Sequence, residues 1–168
     1  MSILKVDTIQ GKTTAATVAM PAGTMLQTIY GNLSNLATSS ATMASMSSLN
    51  ITPKFSSSVI LITVQYHIYI ANINANSWRG GLVQIKRGST SIQTDGGKYG
   101  TSIVQDSGSV GRCMLYQTLQ LVDSPNTTSA TTYEIFGSSK DAAGHVDFNN
   151  TATYSGGGGK MTLQEIAQ

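Results

Sequence analysis

The twelve residues Val59 to Ile70, VILITVQYHIYI, constrain this chain more than any other stretch. The even positions, Ile60, Ile62, Val64, Tyr66, Ile68 and Ile70, are all apolar or aromatic, and the odd ones drift from Val59 and Leu61 to Thr63, Gln65 and His67. Side chains of a strand alternate between two faces, so this pattern describes one fully buried face and a second that is covered only where it begins. A helix would need apolar residues three and four apart, and β-branched and aromatic residues disfavour it. The stretch reads as the central strand of a sandwich or barrel.

The rest of the chain supplies its partners. Thr24 to Tyr30, Leu82 to Arg87, Thr90 to Thr94, Arg112 to Val122, Ala130 to Phe136 and Lys160 to Ala167 read as further strands. Asp123-Ser124-Pro125-Asn126 is a strong turn. Residues 32–50 are dense in Ser and Thr and read as irregular chain holding at most one strand, since hydroxyl side chains compete for the backbone of a helix. The loops are expected at Ala71 to Gly81, which carries Trp78 and Arg79, and from Gly96 to Gly111, which carries Tyr99. Short strands separated by turns, with no alternating helices, predict an all-β, antiparallel, jelly-roll-like β-sandwich. It spans residues 24–168 as one domain and is preceded by an extended N-terminal arm, residues 1–23. That arm has a strand-like start with Leu4, Val6 and Ile9, then a run of small residues with too little bulk for a core.

Composition narrows the chemistry. Charged residues make up 11% of the 168, against roughly 25% in an average protein, and the net charge of +2 comes from scattered Lys and Arg. Without a basic run, nucleic-acid binding through phosphate neutralisation has little support. No stretch reaches the length of a membrane-spanning helix, and no secretory leader is expected. Gly11-Lys12-Thr13 suggests a phosphate-binding loop, but Val6 stands where such a loop needs its first glycine. Cys113 is the sole cysteine, so neither a disulfide nor a cysteine zinc site is expected.

Catalysis needs converging titratable groups, and few are in sight. His145 lies between Asp141 and Asp147 in DAAGHVD, a set of metal-ligand types that reads more simply as a polar hairpin loop. No catalytic, cofactor or metal residue is assigned. Trp78, Arg79 and Tyr99 are candidate surface contacts, because ring faces cover apolar C–H patches and nearby amides pair with hydroxyls; equally, Trp78 could plug one end of the sandwich. Leu61, His67 and Tyr69, on the less apolar face of the central strand, are candidates for a subunit interface. The four Asn-x-Ser/Thr sequons, at Asn32, Asn50, Asn126 and Asn149, are expected to be unmodified.

Four stretches carry a resemblance in chain order: LKVDTIQGKTTA with MPAG behind it, ITPKFSSSVILITV, LVDSPNTTSATTY and MTLQEIA. Together they resemble small virion proteins of tailed phages, especially phages of marine bacteria, that serve as tail fibres, head fibres or decoration proteins. The resemblance implies a homotrimer held on the particle by its N-terminal arm (Leu4, Val6, Ile9), made in the host bacterial cytoplasm and exposed for contact with a host glycan or protein. The rival expectation is a stand-alone, lectin-like carbohydrate-binding sandwich. An enzyme is not expected.

Overall fold

The structure, a computed structural model, describes residues 20–73, 77–93, 99–105, 111–140, 144–150 and 158–168. Among these the regular elements are eleven strands: β1 Met25–Asn32, β2 Leu36–Thr38, β3 Ala44–Ile51, β4 Val59–Ile73, β5 Ser77–Arg87, β6 Thr90–Ser91, β7 Tyr99–Gln105, β8 Gly111–Asp123, β9 Thr131–Ser139, β10 His145–Phe148 and β11 Lys160–Ile166. They form two antiparallel sheets that pack as a jelly-roll-like sandwich.

Sheet A is built on β4. Its one edge pairs with β8 from Ile60 to Ile73. Its other edge pairs first with β11, Val59 to Gln65, and then with β10, Ile68 to Ala71. β1 lies outside β11 and β2 outside β10. Sheet B runs β3-β9-β5, with β7 and β6 sharing the far edge of β5.

The period of two in β4 now has its cause. Ile60, Ile62, Val64, Ile68 and Ile70 are fully buried against Val83 and Ile85 of β5, Tyr133 and Ile135 of β9, and Met46 and Ile51 of β3. Leu115, Leu119 and Leu121 of β8 join the margin of that core, as does Cys113, which behaves as a small half-buried hydrophobe. The sheets come close at Gly81, where a Cβ would lie 2.3 Å from Ile68 Cδ1, so only glycine fits there.

Two polar nodes fasten the lower end. Glu165 is fully buried on the inward face of β11 and accepts hydrogen bonds from the amides of Lys54 and Phe55 and from Gln27 Nε2. A buried carboxylate is tolerated when its oxygens are saturated in this way, and here it ties the 53–58 turn to β1 and β11. Across the sandwich, Asp123 Oδ2 at the end of β8 accepts from Tyr133 Oη (2.6 Å) and pairs with Arg87 Nη1 (2.9 Å). Burial, then the hydrogen bond to Asp123, pushes the Tyr133 phenol far above its usual range.

Several expectations need correction. Residues 32–50 hold two further strands, β2 and β3, and not one at most. Their period was masked because Ser fills outward positions of β3 and its register shifts between Ser45 and Ser47. Trp78 and Arg79 lie in β5 and Tyr99 in β7, strands that pair with each other and not loops. His145 and Asp147 belong to β10 and not to a hairpin loop. The proposed strand at residues 2–10 lies outside the described residues.

Two measurements test this core. Ile62→Asp or Ile68→Asp should cost on the order of 5 kcal/mol, comparable with a whole domain's stability. Gln65→Asp, on the exposed face, should cost below about 1 kcal/mol; equal melting temperatures for the three would contradict the register. Because folding raises the Tyr133 pKa, its contribution is complete below the phenol's unfolded value near 10 and is lost as pH rises past it. Tyr133→Phe should therefore flatten the fall of the unfolding free energy above about pH 10 by up to ~1.4 kcal/mol per pH unit, read from denaturant titrations; an unchanged slope would contradict the assignment.

Candidate functional site

The outward face of sheet A is where the described residues present most to a partner. Strand pairing sets its rows. Met25, Ile166 and Val59 form one row; Thr28, Gln164, Leu61 and Val122 the next. Tyr30, Thr162, Thr63 and Gln120 follow, then Asn32, Lys160, Gln65 and Thr118. Hydroxyls, amides and apolar groups make up these four rows, and Lys160 is their one charged side chain. Above them, Tyr116 stands beside His67 with ring centroids 5.8 Å apart.

A break in the sheet shapes the upper part. β10 and β11 run in the same direction along one edge of β4, as a single strand interrupted after Phe148. Asn149 repairs the gap at His67: its amide donates to His67 O (3.1 Å) and its Oδ1 accepts from His67 N (3.3 Å). Its φ of 57° is left-handed, a region open to Asn because the short amide side chain finds local partners. Gly159 packs so closely that a Cβ would lie 2.3 Å from Asn149 Oδ1. Outside this seam lies a cleft of about 230 Å³, lined by Gln65, His67, Tyr116, Thr118 and Gly159 among others. Its lining combines aromatic residues, Tyr66 and Tyr116, with amides and hydroxyls, a set suited to a small neutral ligand.

At the far end of β10, His145 Nε2 lies 3.2 Å from Asp147 Oδ1, and Ser39 Oγ lies 3.5 Å from His145 Nδ1. This has the residue types of a hydrolytic triad. Yet the Ser contact is at the limit of a hydrogen bond, and the amide of the following residue, Ser40, is already bonded to Thr38 Oγ1. No donor pair for an oxyanion accompanies it in the described structure. No group of three metal-ligating residues occurs among the described residues, and Asp141 lies outside them.

The sequence candidates are distributed as follows. His67 is 1% exposed and Tyr69 is also buried, so both are covered within the single chain, while Leu61 stays half-buried on the outward face. Trp78 and Tyr99 sit at register positions Val104 and Val83 respectively, and Arg79 is half-buried in β5. All three belong to sheet B and not to sheet A. Leu4, Val6 and Ile9 lie outside the described residues. The arm's last residues are fastened: Gly23 N donates to Ala167 O (2.8 Å). Of the sequons, Asn149 is buried, which leaves no room for a glycan there. Sequence reasoning missed Tyr30, Tyr116 and Val122 as exposed groups. The signal was present in β8, where placing Leu115, Leu119 and Leu121 inward puts Tyr116 and Val122 outward.

No family model matches the chain, and no curated protein matches it. Two solved structures of infectious bursal disease virus are similar to it. The Gt strain structure shares 9% identity at a TM-score of 0.41, covering 100% of this chain and 43% of that one. The Gx strain structure shares 8% identity at a TM-score of 0.39, covering 99% and 42%. The chain thus spans less than half the length of either.

The seam makes a test of its own. Asn149→Ala removes a buried pairing partner and strains a left-handed residue, so about 2–3 kcal/mol should be lost. Asn149→Gly should recover the backbone part, about 1 kcal/mol. Equal melting temperatures for the two variants would show that the backbone conformation carries no cost.

Proposed function

We propose that this chain is a structural protein of a virion, of the tail-fibre or head-fibre and decoration class, that works by burying surface and not by chemistry. The observation that carries this reading is the outward face of sheet A, whose four lower rows hold one charged side chain, Lys160, and leave large apolar side chains open. A face rich in hydroxyls and amides costs little to desolvate and suits protein packed on protein. The resemblance of four stretches to phage virion proteins supplies a context for that partner. In this reading residues 1–23 attach the domain to other virion proteins, three copies associate, and the ends of the sandwich away from the arm meet the host surface.

The second reading is a lectin-like module, favoured by the cleft beside Tyr116. The two readings compete for the same surface. Calorimetric titration of the isolated chain with neutral oligosaccharides separates them: binding that Tyr116→Ala abolishes supports the lectin.

Removing residues 1–19 leaves the bond from Gly23 to Ala167 in place, so the truncated chain should fold with the melting temperature of the full one. It should also be missing from purified particles, as read by quantitative mass spectrometry of the virion. Equal copy numbers of the two forms would contradict attachment by the arm.

A further inference from the structure

We infer that His145 and Asp147 are a chelating pair for a divalent transition-metal ion, held by His145 Nε2 and Asp147 Oδ1 with water in its remaining positions. The site goes beyond the virion reading and stands whether or not that reading holds.

The argument starts from a carboxylate that its own chain leaves unsatisfied. The Asp147 side chain is 8% exposed, and its Oδ1 is buried without a hydrogen-bond partner. A buried carboxylate in that state is costly. Elsewhere the chain avoids the cost. Glu165 accepts from two backbone amides and Gln27, and Asp123 accepts from Tyr133 and Arg87. For Asp147 the one ion-pair neighbour among the described residues is His145, with Nε2 3.2 Å from Oδ1. An imidazole N–H aimed at the oxygen from that distance would make a sound hydrogen bond. None forms, so the ring nitrogen points past the oxygen.

Two donors that share an ion stand in this relation. With bonds of about 2.1 Å to a common ion, a 3.2 Å separation subtends an angle of about 100°, near the tetrahedral value. The ion then lies about 40° off the line between the two atoms, as seen from either of them.

Strand geometry builds the pair. Residues two apart on a strand share a face, which sets both side chains on one side of β10. Their register partners share it too: Ala71 stands opposite His145, and Ala37 opposite Asp147. Methyl groups there leave space that longer side chains would fill. Ala37 is exposed and the His145 side chain is 39% exposed, so an ion and its waters have access from the β2 edge. On the other side of the ring, Ser39 Oγ lies 3.5 Å from His145 Nδ1. A metal on Nε2 keeps the ring proton on Nδ1, where Ser39 Oγ can accept it, the outer support that ligating histidines ordinarily have.

The donor set selects the ion. One imidazole with one carboxylate suits Zn²⁺, Ni²⁺ or Co²⁺, whereas Mg²⁺ and Ca²⁺ favour shells made of oxygen alone. Two protein ligands make a weaker and more open site than the three or four of a dedicated zinc centre.

Calorimetric titration of the full, untagged chain with ZnCl₂ tests this. The wild type should bind one ion per chain, saturating below about 1 mM, the weak end of specific binding. Asp147→Asn keeps the side-chain shape and removes the charge. It and His145→Ala should each weaken binding at least the roughly tenfold that loss of an outer-shell partner costs. MgCl₂ should give no saturable heat. A second measurement needs no variant: Co²⁺, a paramagnetic stand-in for Zn²⁺, should perturb the backbone amide resonances of residues 37, 71 and 145–147 before any others. Absence of saturable Zn²⁺ binding at 1 mM, folded variants that bind as the wild type does, equal binding of Mg²⁺, or Co²⁺ effects centred elsewhere would each overturn the inference. None of these outcomes depends on the protein's presence in a particle.

Discussion

Every strand of sheet A reaches the core through β4. Among the described strands, β8 pairs with β4 alone, β1 reaches it through β11, and β2 through β10. The sandwich thus depends on one physical constraint: a fifteen-residue strand must bury one face completely while both its edges stay hydrogen-bonded. The isoleucines and valines of its even positions meet the first demand, because β-branched side chains pack on a pleated surface with little rotamer loss. The second is met along one edge by β8 and along the other by two shorter strands and Asn149 between them. An asparagine in a left-handed conformation can replace a strand residue there because its backbone and side chain both reach His67.

That constraint also explains the outward face. Below Gln65 the outward side of β4, at Val59, Leu61 and Thr63, is only half-buried; at His67 and Tyr69 the chain itself covers that side. The lower rows remain open, and they are where uncharged polar groups and the apolar side chains of β1 and β8 gather. A surface with one lysine in four rows gains little from water-mediated charge and loses little on contact with protein. The low charge of the whole composition thus has a local counterpart in the structure.

The central strand, its buried face, the closing strand and the all-antiparallel class were legible in the residues, since each rests on a period of two read over seven or more positions. What stayed hidden has particular causes. β3 shifts register at Ser45 and places serines outward, so hydropathy shows no alternation. β5 begins at Ser77, five residues before the Leu82 that marks it, because Trp78, Arg79 and two glycines resemble a loop while pairing with β7 as a strand. The open face was hidden for a different reason. Tyr30 and Val122 are ninety-two residues apart, and the pairing of both strands through β11 and β4 brings them onto one surface. His67 looked like an interface residue because the sequence does not show that Asn149 and Tyr116 close over it.

Oxidative footprinting of the purified protein across a concentration series tests this account most directly. Met25, Tyr30 and Tyr116 are open in the single chain, as is Met20 at the end of the arm, whereas Met161 and Tyr133 are buried in the core. If the outward face of sheet A is made for protein contact, labelling of Met25, Tyr30 and Tyr116 falls together as concentration rises, while Met20 stays reactive and Met161 and Tyr133 stay unlabelled throughout. Labelling of Met25, Tyr30 and Tyr116 that stays constant at every concentration would contradict it.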